Sequence, residues 1–515
     1  MQSSLRCSLV LLGLLVGLSP ATAQDYAPPR FTDADRAKKI SALLPEITQL
    51  YTDYAAEKHA PGLVWGLVLD GQLIHTGSVG FANLEKKIPA DARSVFRIAS
   101  MTKSFTALAI LQLRDAGQLS LDDPVEKHLP EFRAVKPLTA DAPKITLRHL
   151  LGMAAGFPED NPWGDRQLGI TDVQFAEFLA RGIAFSNPPG VAFEYSNLGF
   201  ALLGRVVSRV SGVPYQRYIT REILRPLGMH DTHWEFSAVP PDRLALGYRW
   251  ENNAWKLESL ERDGAYGAMG GLLTTAADFT RYIAFHLSAW PPRDDPDAGP
   301  VRRSTLREMH TPTQPTGVNA TARTLAGEPN PIANGYGFGL SVSLDSKGVR
   351  FARHSGGLPG FGSEYRFFPD YGFGVFSFAN ITYAGTGATN AKVATLLLEK
   401  APLPPRTRPV SPILAQRTQQ IATLLADATW DERLGAEILA ENFFPDRSRA
   451  DWIAHTRTAL ASAGKIAAVG ALVPLNQLRG TFPLIGAHGR IDVFFTLTPE
   501  ASPKVQELRL TFVAP

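Results

Sequence analysis

Strand-forming segments lie at both ends of residues 41–400, and helical patterns fill the part between them. At the first end, the apolar run Leu63–Leu69 is followed by Asp70-Gly71 and then by Gln72–His75. Two such runs around an Asp-Gly pair indicate a β-hairpin. Strand patterns at the other end occur in three runs: Tyr336–Leu340, Ser363–Phe368 and Phe373–Ala379. We therefore predict an α+β fold in which both ends of the region share one antiparallel sheet flanked by helices.

The part between the strands predicts helices and one long loop. Residues 145–290 alternate helical periodicity with Gly/Pro-rich breaks, which indicates an all-helical subdomain beside the sheet. Residues 291–334 are rich in Pro, Thr, Asn and Gly and show little periodicity. A loop of this length in a compact domain is usually functional or mobile, so we expect one of these roles here.

Prolines mark the start of a second domain. They define a stiff linker over residues 401–412. Residues 413–515 then show three helical patterns, at 413–428, 431–442 and 448–463, and four strand-like runs that end at Leu508–Phe512. This order predicts a small α+β domain. It contains no catalytic pattern, and its role, whether packing, oligomerisation or substrate shaping, stays open.

The first residues indicate export. A basic start at Arg6 leads into the apolar run Leu9–Leu18, and Ala21-Thr22-Ala23 forms a small-residue cleavage pattern. We predict a signal peptide over residues 1–23, a tether over residues 24–40, and a periplasmic or secreted mature protein.

Composition narrows the possible functions. Cys7 is the single cysteine, so removal of the signal peptide excludes disulfides, thiol catalysis and Cys-ligated zinc. The net charge of +3, without a basic block, argues against nucleic-acid binding. No later segment has the ~20 apolar residues of a membrane span. We expect no cofactor, no metal, and a small-molecule or peptide substrate; the oligomeric state stays open.

Three short motifs carry the chemistry: Ser100-Met101-Thr102-Lys103, Tyr195-Ser196-Asn197 and His354-Ser355-Gly356. Each is weak alone, and Ser462-Ala463-Gly464-Lys465 also matches S-x-x-K. Context distinguishes the two, because Ser100 begins a strongly periodic helix and Ser462 ends one. A helix start supplies free N–H groups for an oxyanion, and Lys103 lies on the same face as Ser100. The alternative is an N-cap serine beside a solvated lysine.

Residues 96–106 resemble the nucleophile segment of the β-lactamase-related serine hydrolases. This family includes class C β-lactamases, D-Ala-D-Ala carboxypeptidases, D-aminopeptidases and family VIII carboxylesterases. Further segments agree with the family in the same order: Leu121–Val125, Ile145–Leu151, Phe193–Gly199, Gly270–Asp278 and His354–Phe361. The resemblance covers residues 41–400 and implies the penicillin-recognising serine hydrolase fold.

The resemblance also implies catalytic roles. Ser100 attacks the carbonyl and Lys103 helps to deprotonate it. Tyr195 is the general base and proton shuttle, and Asn197 shares its hydrogen-bond network and orients the substrate. A tyrosine base needs a cation that lowers its pKa, and Lys103 is the candidate.

The third motif implies the opposite wall of the site. His354, Ser355 and Gly356 form a strand that binds substrate, and the N–H groups of Gly357 and Ser100 form the oxyanion hole. A plain core histidine is the alternative for His354.

The third motif also bears on the substrate. It departs from the K-T-G of β-lactamases, whose lysine meets the substrate carboxylate. The departure argues against efficient β-lactam hydrolysis but not against acyl transfer. Two functions stay open: a serine hydrolase of D-amino-acid peptides, amides or carboxylic esters, and a penicillin- or peptidoglycan-binding sensor that is acylated without turnover.

Overall fold

The computed structural model describes residues 26–426 and 428–515. The predicted signal peptide, residues 1–23, lies outside the described residues. Two compact units divide the chain, one formed by Phe31–Thr407 and the other containing Arg408–Pro515. The boundary falls inside the Pro-rich segment 401–412.

The first unit contains helices on both sides of a large sheet. Its helices are Arg36–Glu57 (α1), Thr102–Asp115 (α2), Val125–His128 (α3), Leu147–Leu151 (α4), Asp172–Ala180 (α5), Asn197–Ser211 (α6), Tyr215–Ile219 (α7), Ala276–Ser288 (α8), Arg303–Met309 (α9) and Gly387–Glu399 (α10). Its strands are Gly62–Leu69 (β1), Gln72–Asn83 (β2), Ile88–Pro89 (β3), Phe96–Arg97 (β4), Tyr248–Glu251 (β5), Ala254–Leu257 (β6), Leu273–Thr274 (β7), Gln314–Asn319 (β8), Ile332–Tyr336 (β9), Ser341–Asp345 (β10), Arg350–Leu358 (β11), Phe361–Phe368 (β12) and Phe373–Ala379 (β13).

The sheet joins the two ends of this unit, which confirms the predicted α+β fold. Within residues 31–407 its strand order is β3-β2-β1-β13-β12-β11-β10-β9-β8, with antiparallel pairing. Strand β1 lies between β2 and β13, and Leu63 is opposite Ala379. The turn after β1 has φ of 51° at Asp70 and 80° at Gly71. Positive φ at both central residues is the signature of the tight hairpin turn that an Asp-Gly pair favours.

Helices cover both faces of the sheet. On one face Tyr51 of α1 stacks on Trp65 of β1, with 4.7 Å between ring centroids. On the other face Phe279 of α8 meets Phe376 of β13 edge-on at 5.6 Å. Every residue of β1 is buried because the strand is covered on both sides. The face that carries α8 also carries α2, and it positions the catalytic candidates.

Helix α1 begins at Arg36, inside the segment predicted as a tether. The Arg36 guanidinium lies 3.5 Å from the Phe31 ring centroid and 2.6 Å from the Asp70 carboxylate. The arginine is buried, so its partners tie this segment to the folded unit. Polar composition suggested a free tether because it did not show these long-range partners.

The predicted loop at residues 291–334 instead contains α9, β8 and the start of β9. Strand β8 pairs with β9, and Gln314 is opposite Tyr336. Five of the six β8 residues are exposed, so this edge strand lacks the apolar alternation that marks a half-buried strand. The predicted strand 336–340 is also displaced, because β9 ends at Tyr336 and Gly339 turns the chain with φ of 71°.

The second unit is a small α+β domain. Its described elements are Pro412–Leu425 (α11), Glu432–Ile438 (α12), Arg449–Ala463 (α13), Ile466–Val469 (β14), Val473–Asn476 (β15), Arg479–Gly486 (β16), Gly489–Leu497 (β17) and Val505–Val513 (β18). Five strands are described here rather than the predicted four, because β14 and β15 are separate and both pair with β16. Within the described parts of the chain, no helix has the length and apolar character needed to cross a membrane.

Candidate active site

Ser100 lies in a short 3₁₀ turn, Ala99–Met101, directly before α2. N–H groups in the first turn of a helix have no partner within the helix, so they are available to an anion. Ala99 has a φ of 50°, a left-handed conformation that non-glycine residues rarely adopt. Backbone strain of this kind concentrates at functional sites. Ser100 itself is only 6% exposed.

The Lys103 amine has three polar neighbours. Its Nζ atom lies 2.9 Å from Ser100 Oγ, 2.7 Å from Asn197 Oδ1 and 3.0 Å from the Met269 carbonyl oxygen. The amide oxygen and the carbonyl oxygen can only accept, so they take two N–H groups of the amine. The third direction points at Ser100 Oγ. In the neutral amine the lone pair occupies that direction and can accept the serine proton.

Burial makes the neutral amine accessible. The fully buried position lowers the pKa of Lys103 well below its ordinary value of 10.5, because no water solvates the ammonium. The carboxylates of Asp165 and Asp160 oppose this change and raise the pKa of Lys103. Lys103 is therefore suited to act as a base at a pH closer to neutral than a solvated lysine.

A helix cap explains the spacing of Tyr195 and Asn197. Ser196, between them, is the N-cap of α6 and accepts a hydrogen bond from the Gly199 N–H at 3.2 Å. Asp160 adds a second cap, because it accepts from the Asn197 N–H at 2.6 Å. Tyr195 thus precedes the helix and Asn197 opens it, so that both side chains reach Lys103.

The Tyr195 hydroxyl lies close enough to Ser100 for the serine to lower the pKa of Tyr195, and the ring centroid lies 4.9 Å from Lys103 Nζ. We expected a lowered pKa, but burial raises the pKa of Tyr195 well above its usual 10.0. Asp165 and Asp160 raise the pKa of Tyr195 further. This direction is opposite to the lowering that a tyrosine base needs, and it favours the protonated form of Tyr195. Tyr195 keeps its proton and can donate it.

Strand β11 forms the opposite wall. It pairs with β12 as far as Leu358, whereas β10 covers its other side only as far as Arg353. Among the described strands, the edge at residues 354–358 is therefore open on that side. A Cβ on Gly356 would lie 2.2 Å from the Ile98 carbonyl oxygen, so only glycine lets β11 approach the Ser100 turn this closely. Gly356 thus brings the open edge against Ile98 and Ala99, directly before Ser100, and Ser355 is exposed along this edge.

His354 lies in this wall with both ring nitrogens engaged. Its Nδ1 is 2.6 Å from the Ser355 carbonyl oxygen, and its Nε2 is 3.1 Å from the Tyr336 hydroxyl. The carbonyl can only accept, so Nδ1 carries the hydrogen and Nε2 accepts from Tyr336. Burial lowers the pKa of His354 to about 3, and the ring is neutral. The imidazole is therefore held inside the wall by its own partners, and the role of His354 in a substrate-binding strand stays a prediction.

A family model matches most of the chain, including the residues of this site. Residues 47–399 match the family model described as Beta-lactamase. The chain belongs to the beta-lactamase family. Protein flp from Staphylococcus aureus (strain NCTC 8325 / PS 47) is 29% identical over 327 residues, which are 63% of this chain and 60% of that protein. The chain thus spans about 60% of the length of the curated relatives matched first.

Solved structures share the fold. The octameric penicillin-binding protein homologue from Pyrococcus abyssi has a TM-score of 0.56 and 22% identity, covering 91% of this chain and 95% of its own. A D-stereospecific amidohydrolase from Streptomyces sp. has a TM-score of 0.52 and 27% identity, covering 67% of this chain and 97% of its own. These likenesses place this unit among the penicillin-recognising serine hydrolase folds.

Four residues near the catalytic candidates were missed from the sequence: Asp160, Asn161, Asp165 and Met269. Asn161 Oδ1 and Asp165 Oδ1 lie 2.6 Å and 3.4 Å from Asn197 Nδ2, which fixes the amide with its oxygen toward Lys103. Met269 directly precedes Gly270–Asp278, a segment that resembles the family, and this position could have indicated that Met269 lies near the site. The other three lie in a loop without periodicity, where the sequence offers no sign of the contact.

Proposed function

We propose that this protein is a serine hydrolase that cleaves esters or amides through an acyl-enzyme on Ser100. The contact set of Lys103 Nζ carries the proposal, because two acceptors orient the buried amine so that its remaining direction meets Ser100 Oγ. A hydroxyl becomes a nucleophile only beside such a base.

The geometry supports a proton path. The Ser100 proton passes to neutral Lys103 as Oγ bonds to the substrate carbonyl carbon, and the N–H groups of Ser100 and Gly357 bind the oxyanion. When the carbonyl re-forms, the bond to the leaving alcohol or amine breaks. Tyr195 gives that group its proton and is reprotonated from Lys103. Water then attacks the carbonyl carbon of the acyl-enzyme and gives one proton to Lys103. The bond from that carbon to Ser100 Oγ breaks, Oγ takes the proton from Lys103, and the carboxylic acid leaves.

The charges favour substrates without a carboxylate beside the scissile bond. The K-T-G motif places a lysine where this chain has the neutral, internally bonded His354. Asp160 and Asp165 add negative charge near Lys103. We therefore propose short carboxylic esters and D-aminoacyl amides as the substrate class, and the likeness to the Streptomyces amidohydrolase supports the amide. β-Lactams and D-Ala-D-Ala peptides, which carry such a carboxylate, fit less well.

We also propose that the protein is exported. The proposal rests on the basic, apolar and small-residue pattern of residues 1–23. Intact mass of protein from the periplasm or the medium tests it. A chain beginning near Gln24 is expected, and a chain that retains residues 1–23 contradicts export by cleavage.

A substrate panel tests the function. The purified protein and Ser100→Ala are assayed with 4-nitrophenyl acetate, a D-alanine 4-nitroanilide, a D-Ala-D-Ala peptide and a chromogenic cephalosporin. We expect Ser100-dependent turnover of the first two substrates and slower turnover of the last two. Steady turnover of the cephalosporin alone contradicts the substrate class. A product burst without turnover on all four indicates the sensor instead.

A further inference from the structure

Tyr383 occupies a strained position beside the candidate site. It follows β13 in a turn and has a φ of 53°, which is uncommon for a residue with a side chain. Its N–H lies 3.3 Å from the Leu358 carbonyl oxygen and 3.2 Å from that of Phe361, the residues at the ends of β11 and β12. These contacts hold the turn against the hairpin that carries Gly357.

The Tyr383 side chain reaches from one wall of the site to the other. A Cβ built on Gly357 would lie 3.0 Å from Tyr383 Cδ1, so the ring borders the open edge of β11. The Tyr383 hydroxyl lies close to the Asp165 carboxylate, and burial together with this carboxylate raises the pKa of Tyr383. Asp165 is 2% exposed and belongs to the helical wall, where it also faces Asn197. One side chain therefore spans the space beside Ser100.

The position of Tyr383 allows its ring to move away from Asp165. A buried carboxylate needs hydrogen-bond donors, and Asp165 accepts from the Asn197 amide at 3.4 Å, with the Tyr383 hydroxyl beside it. Tyr383 itself is 42% exposed, so its ring can turn outward without disturbing the core.

We propose that Tyr383 is a specificity-determining residue whose ring limits the size of the substrate group that extends past Gly357 along the open edge of β11. Small groups fit beneath the ring, and large groups require the ring to turn away from Gly357 and Asp165. The inference rests on the proposed function, because it needs a substrate attached at Ser100.

Covalent labelling tests the inference. Phosphonates with a 4-nitrophenyl leaving group bond phosphorus to Ser100 Oγ, release 4-nitrophenolate and pass the serine proton to the base. Besides the leaving group, each probe carries one alkyl and one alkoxy group on phosphorus. Four probes form two series: in the alkyl series an ethyl probe is compared with an octyl probe, and in the alkoxy series an ethoxy probe is compared with an octyloxy probe. Intact mass gives the labelling rate of wild type, Tyr383→Gly, Tyr383→Phe and the exposed control Leu257→Ala.

The ratio of large-probe to small-probe rates is the readout, since a general loss of folding changes both rates. We expect Tyr383→Gly, which suits the positive φ, to raise this ratio about tenfold in at least one series. Tyr383→Phe should raise it about threefold, and Leu257→Ala should leave it unchanged. Unchanged ratios in both series overturn the inference. If circular dichroism shows that Tyr383→Gly does not fold, an unchanged ratio in Tyr383→Phe overturns the inference. No labelling of wild type by the small probes refutes the proposed function instead.

Discussion

The Asn197 side-chain oxygen lies 2.7 Å from Lys103 Nζ, and the nearest bonded partner of this buried amine is therefore a neutral amide. A carboxylate at the same distance would hold the amine in its charged form. The amide accepts one N–H without adding charge, so burial can lower the pKa of Lys103. The start of α6 thereby sets the proton affinity of a group on α2.

Asn197→Asp tests this relationship. The new carboxylate should raise the pKa of Lys103 and keep it protonated, and the rate at neutral pH should fall about a hundredfold, with recovery as pH rises. The pH dependence of kcat/KM for 4-nitrophenyl acetate measures it. An acidic limb at the wild-type position contradicts the role of Lys103 as base.

Asp165→Asn should act in the opposite direction. Asp165 raises the pKa of Lys103, so its neutralisation lowers that pKa and more amine is deprotonated at a given acidic pH. The acidic limb of the pH profile should move to lower pH. Asp172→Asn, at an exposed partner of Arg205, is the matched control and should keep the wild-type profile.

Tyr195→Phe removes one hydroxyl and retains the ring. Since burial raises the pKa of Tyr195 and its hydroxyl lies beside Ser100, we expect a loss of about 10²–10⁴ in kcat, the usual contribution of a positioned proton donor. The loss should not add to that of Lys103→Ala, because both groups serve one proton path. Ser462→Ala is the control, because Ser462 lies in the last turn of α13 and bonds to the Thr458 carbonyl. A labelled Ser462 in Ser100→Ala would contradict the assignment.

Gly356→Ala should move strand β11 away from the turn that carries Ser100. Its Cβ would meet the Ile98 carbonyl at 2.2 Å, so β11 must move away from the Ser100 turn and the oxyanion donors lose alignment. One such donor is worth about 10²–10³ in kcat, and we expect a loss of that size. Gly385→Ala, with no atom within 4 Å of the added Cβ, should leave kcat/KM unchanged.

The second unit should be dispensable for the chemical step. Every catalytic candidate lies within Phe31–Thr407, and residues 408–515 pack around a core of their own. A chain ending at Thr407 should still be labelled at Ser100 by an ethyl phosphonate. A folded but unlabelled chain would show that the second unit completes the site.

Local signals made part of this site predictable. The periodic helix after Ser100 and the capping serine between Tyr195 and Asn197 are visible in a few consecutive residues. The charge state of Tyr195 was not predictable, because burial depends on the whole fold. Asp165 and Tyr383 were missed for the same reason: their partners lie far away in sequence. Edge strand β8 was missed because its exposed residues carry no apolar pattern.

The position of β1 in the sheet has a consequence for the order of folding. Leu63 of β1 pairs with Ala379 of β13, so the central strand pair forms only after nearly all of the unit has been synthesised. Contacts between such distant segments close large loops and form slowly. Strand β11, which carries Gly357, also comes late in the chain. We therefore expect that a nascent chain that already contains Ser100 and Lys103 lacks the proposed oxyanion site, and that the proposed nucleophile gains its reactivity only as the last strands enter the sheet.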